Sequence, residues 1–430
     1  MDIVRGFSKL SRTEKIKYIQ DNFPIVADVA KVTNHYRHET EQSVFDDFSE
    51  NTLSNFYLPY GVAPNFLIDG KMYVLPMVIE ESSVVAAASR AASFWAKHGG
   101  FKTTIHDSLK IGHIWFQWDG EENILHKHIS TLQTYLKESV KEITQRMEQR
   151  GGGIIDINFI QQPQLSNVWQ MKVSFKTADS MGANFINTCL EAMKEPLVTY
   201  FESQNLPSIE IVMAILSNYT PECLVTCEAS CKIEQLAPFA SELSPLEFAQ
   251  RFKLAMDIAY HNIDRAVTHN KGIYNGVDAV VLATGNDFRA VEAAGHSYAS
   301  HDGQYRSLSK CEITNERDFK ISLTLPLALG TVGGLTRLHP LAALSMDILQ
   351  NPSSEELMSI AASAGLANNF AAVASLVTTG IQKGHMKLHL SNILTSFDAT
   401  PEEREKTEAY FSDKTELTKS KRVLKKINLC

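Results

Sequence analysis

This chain has no long uninterrupted apolar run. Its most apolar stretches, such as Ile209–Leu216 and Val277–Ala283, are strand-sized, short of the roughly 18 residues that a membrane-spanning helix needs. The first fifteen residues, MDIVRGFSKLSRTEK, carry no apolar signal-peptide core, so a cytoplasmic protein is expected. Cysteine is sparse. Six in 430 residues do not make a disulfide framework and fit reduced thiols. A basic excess is missing as well. Net charge is −8, from 41 Lys and Arg against 49 Asp and Glu, with the basic residues spread along the chain. That argues against a surface that tracks a nucleic-acid backbone.

Several familiar motifs are absent. There is no G-x-G-x-x-G, no Walker A sequence, no G-x-S-x-G elbow and no H-E-x-x-H. A nucleotide that binds here must use another device. Cys223, Cys227 and Cys231 are evenly spaced, which places them on one face of a strand. A structural zinc site wants a fourth ligand and tighter cysteine pairs, so buried small side chains are expected. His385 and His389 stand at i, i+4, and His126 and His128 form a second pair. Neither pair has a neighbouring thiolate or carboxylate to complete a metal site, and no metal is expected.

What is present points to two or three domains of mixed α/β (α+β) type. The length of 430 residues exceeds one ordinary core, and 44% apolar with 21% charged residues is a normal globular balance. Ser11-x-x-Glu14 is a capping box ahead of Ile16 and Ile19. Residues 56–76 read as short strands. Ser83–Trp95 reads as an Ala-rich helix that Gly99–Gly100 ends. The texture changes over 108–216: a strand at Lys110–Trp118, a long helical stretch at Asn123–Gln149, a break at Gly151–Gly153, strands at Ile154–Ile160 and Trp169–Thr177, and an amphipathic helix at Met181–Met193. That is the pattern of a module inserted into a larger domain, giving units 1–107, 108–216, 217–379 and 380–430. Leu357–Ile381 reads as an apolar helix. Thr400-Pro401-Glu402-Glu403 starts a last one, in a helical subdomain hinged near Gly380–Gly384.

Four segments place a titratable residue beside Gly, Ser or Asn. Glu80-Glu81-Ser82-Ser83 opens an apolar helix, where the dipole favours negative charge. Helix capping is the plainer reading. Asp179-Ser180-Met181-Gly182-Ala183-Asn184 precedes a helix whose first free N–H groups are able to bind a phosphate. Thr268-His269-Asn270-Lys271-Gly272 and Gly285-Asn286-Asp287 put a lysine and an aspartate in apolar surroundings, as an ion pair or a catalytic pair. Gly384-His385-Met386 places a histidine at the proposed hinge.

In this order and at these separations, from about Leu53 to His389, the segments resemble class II 3-hydroxy-3-methylglutaryl-coenzyme A (HMG-CoA) reductase. The resemblance implies a large α/β domain that holds the acyl-CoA. An inserted small antiparallel-sheet and helix domain, not of Rossmann type, would hold the nicotinamide cofactor, and a mobile C-terminal flap would cover both. It implies a homodimer or higher even-numbered oligomer with active sites at the subunit interface, near Glu50 and Asn51. It also implies a reaction: four-electron reduction of the HMG-CoA thioester to mevalonate and CoA with two NAD(P)H, or the reverse oxidation.

Carried over by position, Lys271 would stabilise the oxyanion and Glu81 would deliver a proton to the carbonyl oxygen. Asp287 would bridge Glu81 and Lys271, and His385 would protonate the departing thiolate. Arg265 would pair with the terminal carboxylate, with Ser83, Asn218 and Asn275 as polar contacts. Asp179, Met181, Gly182, Ala183 and Asn184 would hold the cofactor. Arg146 and Arg150, before the glycine turn, would meet a 2′-phosphate, which favours NADPH, while Glu148 keeps NADH open. This sequence departs from the family pattern at Ser82, often Pro, at Ser180, often Ala, and at Asn368, where Gln is usual. Two other readings remain open on the residues. One is another acyl-CoA nicotinamide oxidoreductase on this fold. The other is a non-enzymatic metal- or cluster-binding protein organised by the three cysteines, which leaves five co-ordered motifs unexplained.

Overall fold

The computed structural model describes residues 3–378, 380, 394 and 399–411. Short-range signals in the sequence take their expected local form. Ser11 Oγ accepts from Glu14 N while the Glu14 carboxylate accepts from Ser11 N at 2.7 Å, starting a helix over Arg12–Asn22. Residues 56–76 fall in a hairpin of β1 (Tyr60–Ile68) and β2 (Lys71–Val78). Its two-residue turn is Asp69 at φ 48° and Gly70 at φ 85°, the left-handed pair that matches the twist of paired strands. Helix α1 (Val84–Ala96) packs on β1 and ends at Gly99 and Gly100. A Cβ on Gly100 would lie 2.3 Å from the Leu67 carbonyl oxygen, so that approach requires glycine.

Two antiparallel four-stranded sheets follow. One has the order β3-β8-β10-β9, from β3 (Lys102–Ile105), β8 (Leu224–Lys232), β9 (Ser309–Thr314) and β10 (Asp318–Pro326). The other has the order β5-β6-β4-β7, from β4 (Lys110–Trp118), β5 (Gly153–Gln161), β6 (Val168–Lys176) and β7 (Ile209–Ser217). The second sheet has its own core. Ile114, Phe116, Met171, Val173 and Phe175 alternate onto one face and meet Ile186, Leu190 and Met193 of helix α2 (Ala183–Ser203). The larger core around the first sheet is a separate cluster. The architecture is mixed α/β with antiparallel sheets.

Three features differ from the sequence reading. The long helix expected over 123–149 is two, Glu122–Ser139 and Lys141–Glu148. Val140 breaks it at φ −111°, ψ 15°. It is β-branched and 1% exposed, so burying its side chain outweighs helical continuity. The His126 and His128 pair, read as lacking a neighbouring carboxylate, has one on one side, since His126 Nε2 meets Glu122 Oε1 at 3.3 Å, while the half-buried His128 meets the Tyr200 hydroxyl through Nδ1 at 3.2 Å. The third difference concerns apolar length. Helix α5 (Ser354–Val377) is long and apolar enough to cross a membrane, yet 78% of its most apolar stretch is buried inside the fold.

That burial is the centre of the larger core. Helix α3 (Ile263–Ala283) crosses α5 in close contact. A Cβ on Gly276 would sit 2.3 Å from the Ala364 carbonyl oxygen, and one on Gly365 would sit 2.7 Å from Val277. Small residues at the crossing let the backbones touch. This fixes α3, which carries the lysine motif, against the scaffold. The capping box at Thr400 and Glu403 forms and starts a helix over Pro401–Phe411.

Candidate active site

Glu81 lies in the turn between β2 and α1. The turn is tight: Ser83 takes φ 76°, uncommon for a residue with a Cβ. Lys271 lies mid-way along α3, and its Nζ donates to Glu81 Oε2 at 2.5 Å across 190 residues of sequence. The side chains are 61% and 37% exposed. Both side chains of the pair are thus partly open to water among the described residues.

On α3, Arg265, Thr268, Lys271 and Asn275 follow one another at helical spacing and form one stripe. Burial pushes the half-buried Arg265 guanidinium down. The opposite face is locked. His269 Nε2 meets Ser309 Oγ at 2.7 Å and Asn369 Nδ2 at 3.0 Å. Burial, helped by the charge of Arg265, pushes this imidazole down to about 3, so it is neutral. The Asn270 amide clamps Arg306 O and Leu308 N. Gly272 faces open space beside Lys271.

Asp287 does not bridge Glu81 and Lys271. It caps helix α4 (Phe288–Tyr298), accepting from Arg289 N at 3.0 Å, Ala290 N at 3.3 Å and Arg289 Nε at 3.0 Å. Burial pushes its carboxyl up, but the Arg289 guanidinium and the capping N–H groups outweigh that and hold it low. The physical reason is proximity: a guanidinium two residues away and a helix N-terminus compete for the same oxygens. Asn286, beside it, exchanges two hydrogen bonds with the Gly330 backbone, at 2.8 and 3.0 Å.

The 179–184 segment closes onto the larger core. The Asp179 carboxylate accepts from Ser354 N at 2.9 Å, at the start of α5, and its carbonyl accepts from Thr331 N at 2.8 Å. Gly182, at φ 95°, is the N-cap of α2 and gives it no side-chain cap. The first-turn N–H groups beside Ala183 and Asn184 are thus available for an anion. Met181 and Ala183 share a small cavity with Lys110, Asn218 and Thr220. Arg146 and Arg150 are exposed. Glu148 is engaged, with Lys141 at 2.6 Å and Thr144 Oγ1 at 2.7 Å. The exposed arginines and the uncapped helix start fit an anionic nucleotide.

Other site features lie elsewhere or were not anticipated. His385 and His389 lie outside the described residues. A cavity of 830 Å³ runs between Phe48, Glu50 and Tyr60 on one side and Leu335 and His339 on the other, reaching Gly285 and Asn286. Sequence reasoning missed Lys110, which is 4% exposed. It also missed Asp278 on α3, which burial and the charge of Glu292 push up to about 8. Their only signal was a charge in an otherwise apolar strand or helix. The three evenly spaced cysteines are buried and free, as expected of small core side chains. Burial pushes Cys223 up to about 11 and both Cys227 and Cys231 up to about 12.

Comparison with known proteins agrees with the family resemblance and extends it along the chain. Residues 11–390 match the family model for hydroxymethylglutaryl-coenzyme A reductase, beginning well before Leu53. The 3-hydroxy-3-methylglutaryl-coenzyme A reductase of Archaeoglobus fulgidus is 35% identical over 401 residues, covering 93% of this chain and 88% of that one. A relative from Borreliella burgdorferi is 32% identical, covering 92% and 89%. Among solved structures, the class II enzyme of Streptococcus pneumoniae, bound to NADPH in open conformations, superposes with a TM-score of 0.74 at 36% identity, covering 87% of this chain and 99% of that one. The chain belongs to the hydroxymethylglutaryl-coenzyme A reductase family, in its class II branch, the NAD(P)H-dependent oxidoreductases of HMG-CoA.

Proposed function

We propose that this chain interconverts HMG-CoA and mevalonate plus CoA, with Lys271 and Glu81 as the reacting pair. The observation that carries this is the 2.5 Å Lys271–Glu81 contact, which joins two motifs that nothing local would bring together. NAD(P)H, when bound, supplies the hydrides. Lys271 holds the oxygen that gains negative charge, and its ammonium is a fixed cation where charge develops. Glu81 delivers a proton to that oxygen, and takes it back in the oxidative direction. Its burial comes from bound substrate and cofactor, and His385 protonates the departing thiolate. Asp287 exchanges Arg289 for the pair when the site closes. Arg265 takes the terminal carboxylate of the acyl group, and Ser83, Asn218 and Asn275 hydrogen-bond its oxygens.

The 108–216 unit holds the cofactor on Met181, Gly182, Ala183 and Asn184. The exposed Arg146 and Arg150 favour a 2′-phosphate and hence NADPH. Glu148, tied to Lys141 and Thr144, is poorly placed to read a ribose hydroxyl, which makes NADH the lesser cofactor. Phe56 is 92% exposed, and Leu338 and Leu341 are 64% and 44% exposed beside the 830 Å³ cavity. They support a homodimer that covers this face near Glu50. The enzyme is cytoplasmic and uses no metal.

The experiment mixes purified protein with HMG-CoA and follows oxidation of NADPH and NADH separately, with Lys271→Ala as control. Oxidation that requires HMG-CoA and is lost in the variant is expected. No turnover in either direction would overturn the assignment. Turnover with other acyl-CoA thioesters in preference would move the substrate and keep the chemistry.

A further inference from the structure

We infer that Lys110 is a positioning residue for the cofactor loop, bracing the turn at 177–180 from beneath. It opens β4 directly opposite Phe175 of β6, and only 4% of it reaches solvent. Its Nζ donates to Thr177 Oγ1 at 2.6 Å and to the Ser180 carbonyl at 3.1 Å. Thr177, itself 2% exposed, donates a hydrogen bond from its own hydroxyl to the same Ser180 carbonyl at 2.7 Å. Burial pushes the Lys110 ammonium down, and the nearby Asp179 carboxylate works against that by attracting the charge. The turn needs such a brace because Ala178 sits at φ 45°, and an alanine in the left-handed region persists only when its surroundings over-determine it.

The braced turn is one end of a continuous set of contacts. Asp179 O accepts from Thr331 N. Gly330 lies so close to Met181 that a Cβ there would be 2.4 Å from the Met181 nitrogen. Both backbone groups of Gly330 are taken by Asn286, the neighbour of Asp287. Lys110 thereby sets the loop that meets the cofactor in register with the segment that carries the reducing centre. A methionine would fill the same space without burying a charge. The ammonium instead contributes two directed hydrogen bonds and a positive charge beside Asp179.

This inference rests on the reading of 179–184 as the cofactor loop, and the test separates the two. Dissociation constants for NADPH, NADH and HMG-CoA are measured on Lys110→Met and, as a direct insult to the loop, on Gly182→Val, with circular dichroism to follow the fold. Lys110→Met is expected to weaken NADPH and NADH alike by roughly tenfold, the loss of about one charge-assisted hydrogen bond, and to leave HMG-CoA binding unchanged. If only Gly182→Val weakens the cofactors, the loop reading stands and the role of Lys110 is overturned. If neither does, both fall. A Lys110→Met protein that does not fold shifts the test to Thr177→Val, which keeps the lysine and removes one acceptor. Unchanged cofactor affinity there overturns the proposal.

Discussion

Replacing Asp278 with Asn should stabilise the protein at alkaline pH. Asp278 faces Glu292 between α3 and α4, hydrogen-bonds it, and has Oδ1 buried without a partner. Two carboxyls in one partly dry contact cannot both ionise cheaply, and burial together with the Glu292 charge pushes Asp278 from 3.8 up to about 8. The sign follows from linkage. Below about pH 4 both folded and unfolded chains hold the proton and nothing is lost. Between about pH 4 and 8 the unfolded chain releases it and the folded chain keeps it, so stability falls as pH rises, then levels off. At about 1.4 kcal/mol for each pH unit in that window the ceiling is about 6 kcal/mol. Residual solvent at the pair and movement of the side chains reduce this, and we expect about 2 kcal/mol. Asn is the neutral isostere, and its amide donates to Glu292 in place of the shared proton. Chemical denaturation at a series of pH values should give the variant a flatter stability curve that lies above the parent at pH 8 and converges with it toward pH 4. Parallel curves, or a variant less stable at pH 8, would refute the shared-proton reading.

Other expected outcomes are narrower. Removing both Arg146 and Arg150 should raise KM for NADPH about tenfold, the worth of a salt-screened phosphate contact, with little change for NADH. Steady-state kinetics with each cofactor reads this, and equal effects sink the idea. Gly276→Ala forces a Cβ to within 2.3 Å of the Ala364 carbonyl and should cost about 3 kcal/mol through overpacking. A denaturation midpoint equal to the parent's would show that the α3–α5 crossing relaxes freely. Cys223, Cys227 and Cys231 should resist alkylation at neutral pH until denaturant is added, since their thiolates are disfavoured by burial. Fast labelling of the folded protein, counted by mass spectrometry, would contradict that.

Much of the fold was legible because its signals are local. Capping boxes at Ser11 and Thr400, the Gly99–Gly100 stop and the alternation in β4–β7 each act within a few residues. The helix break at Val140 was not legible, because it depends on where that side chain is buried, which is a tertiary fact. The Lys271–Glu81 contact was reached only through resemblance in motif order, since spacing along the chain carries no information on pairing across 190 residues. Lys110 and Asp278 escaped notice for the same reason. A charge in an apolar stretch is readable, but its partners, Thr177 and Ser180 for one and Glu292 for the other, are supplied by other elements.

The capture of Asp287 by Arg289 bears directly on how the site works. The Asp287 and Arg289 side chains are 41% and 76% exposed, and those of Glu81 and Lys271 are 37% and 61% exposed. Exposed ion pairs of this kind are worth about 0–1 kcal/mol each. The proposed trade of Arg289 for Lys271 would therefore cost little, well within what a carboxylate meeting Arg265 or an acyl-CoA filling the cleft would return on binding. The weakness of both pairs suits the roles proposed for Glu81, Lys271 and Asp287. A Lys271 locked in a strong buried bond to Glu81 would not be available to an oxyanion, and a Glu81 already desolvated would carry that cost through every cycle without substrate. Under the proposed roles, leaving both pairs half in water would postpone desolvation until the substrate is in place, which is when an unscreened Lys271 would act most strongly on a developing oxyanion.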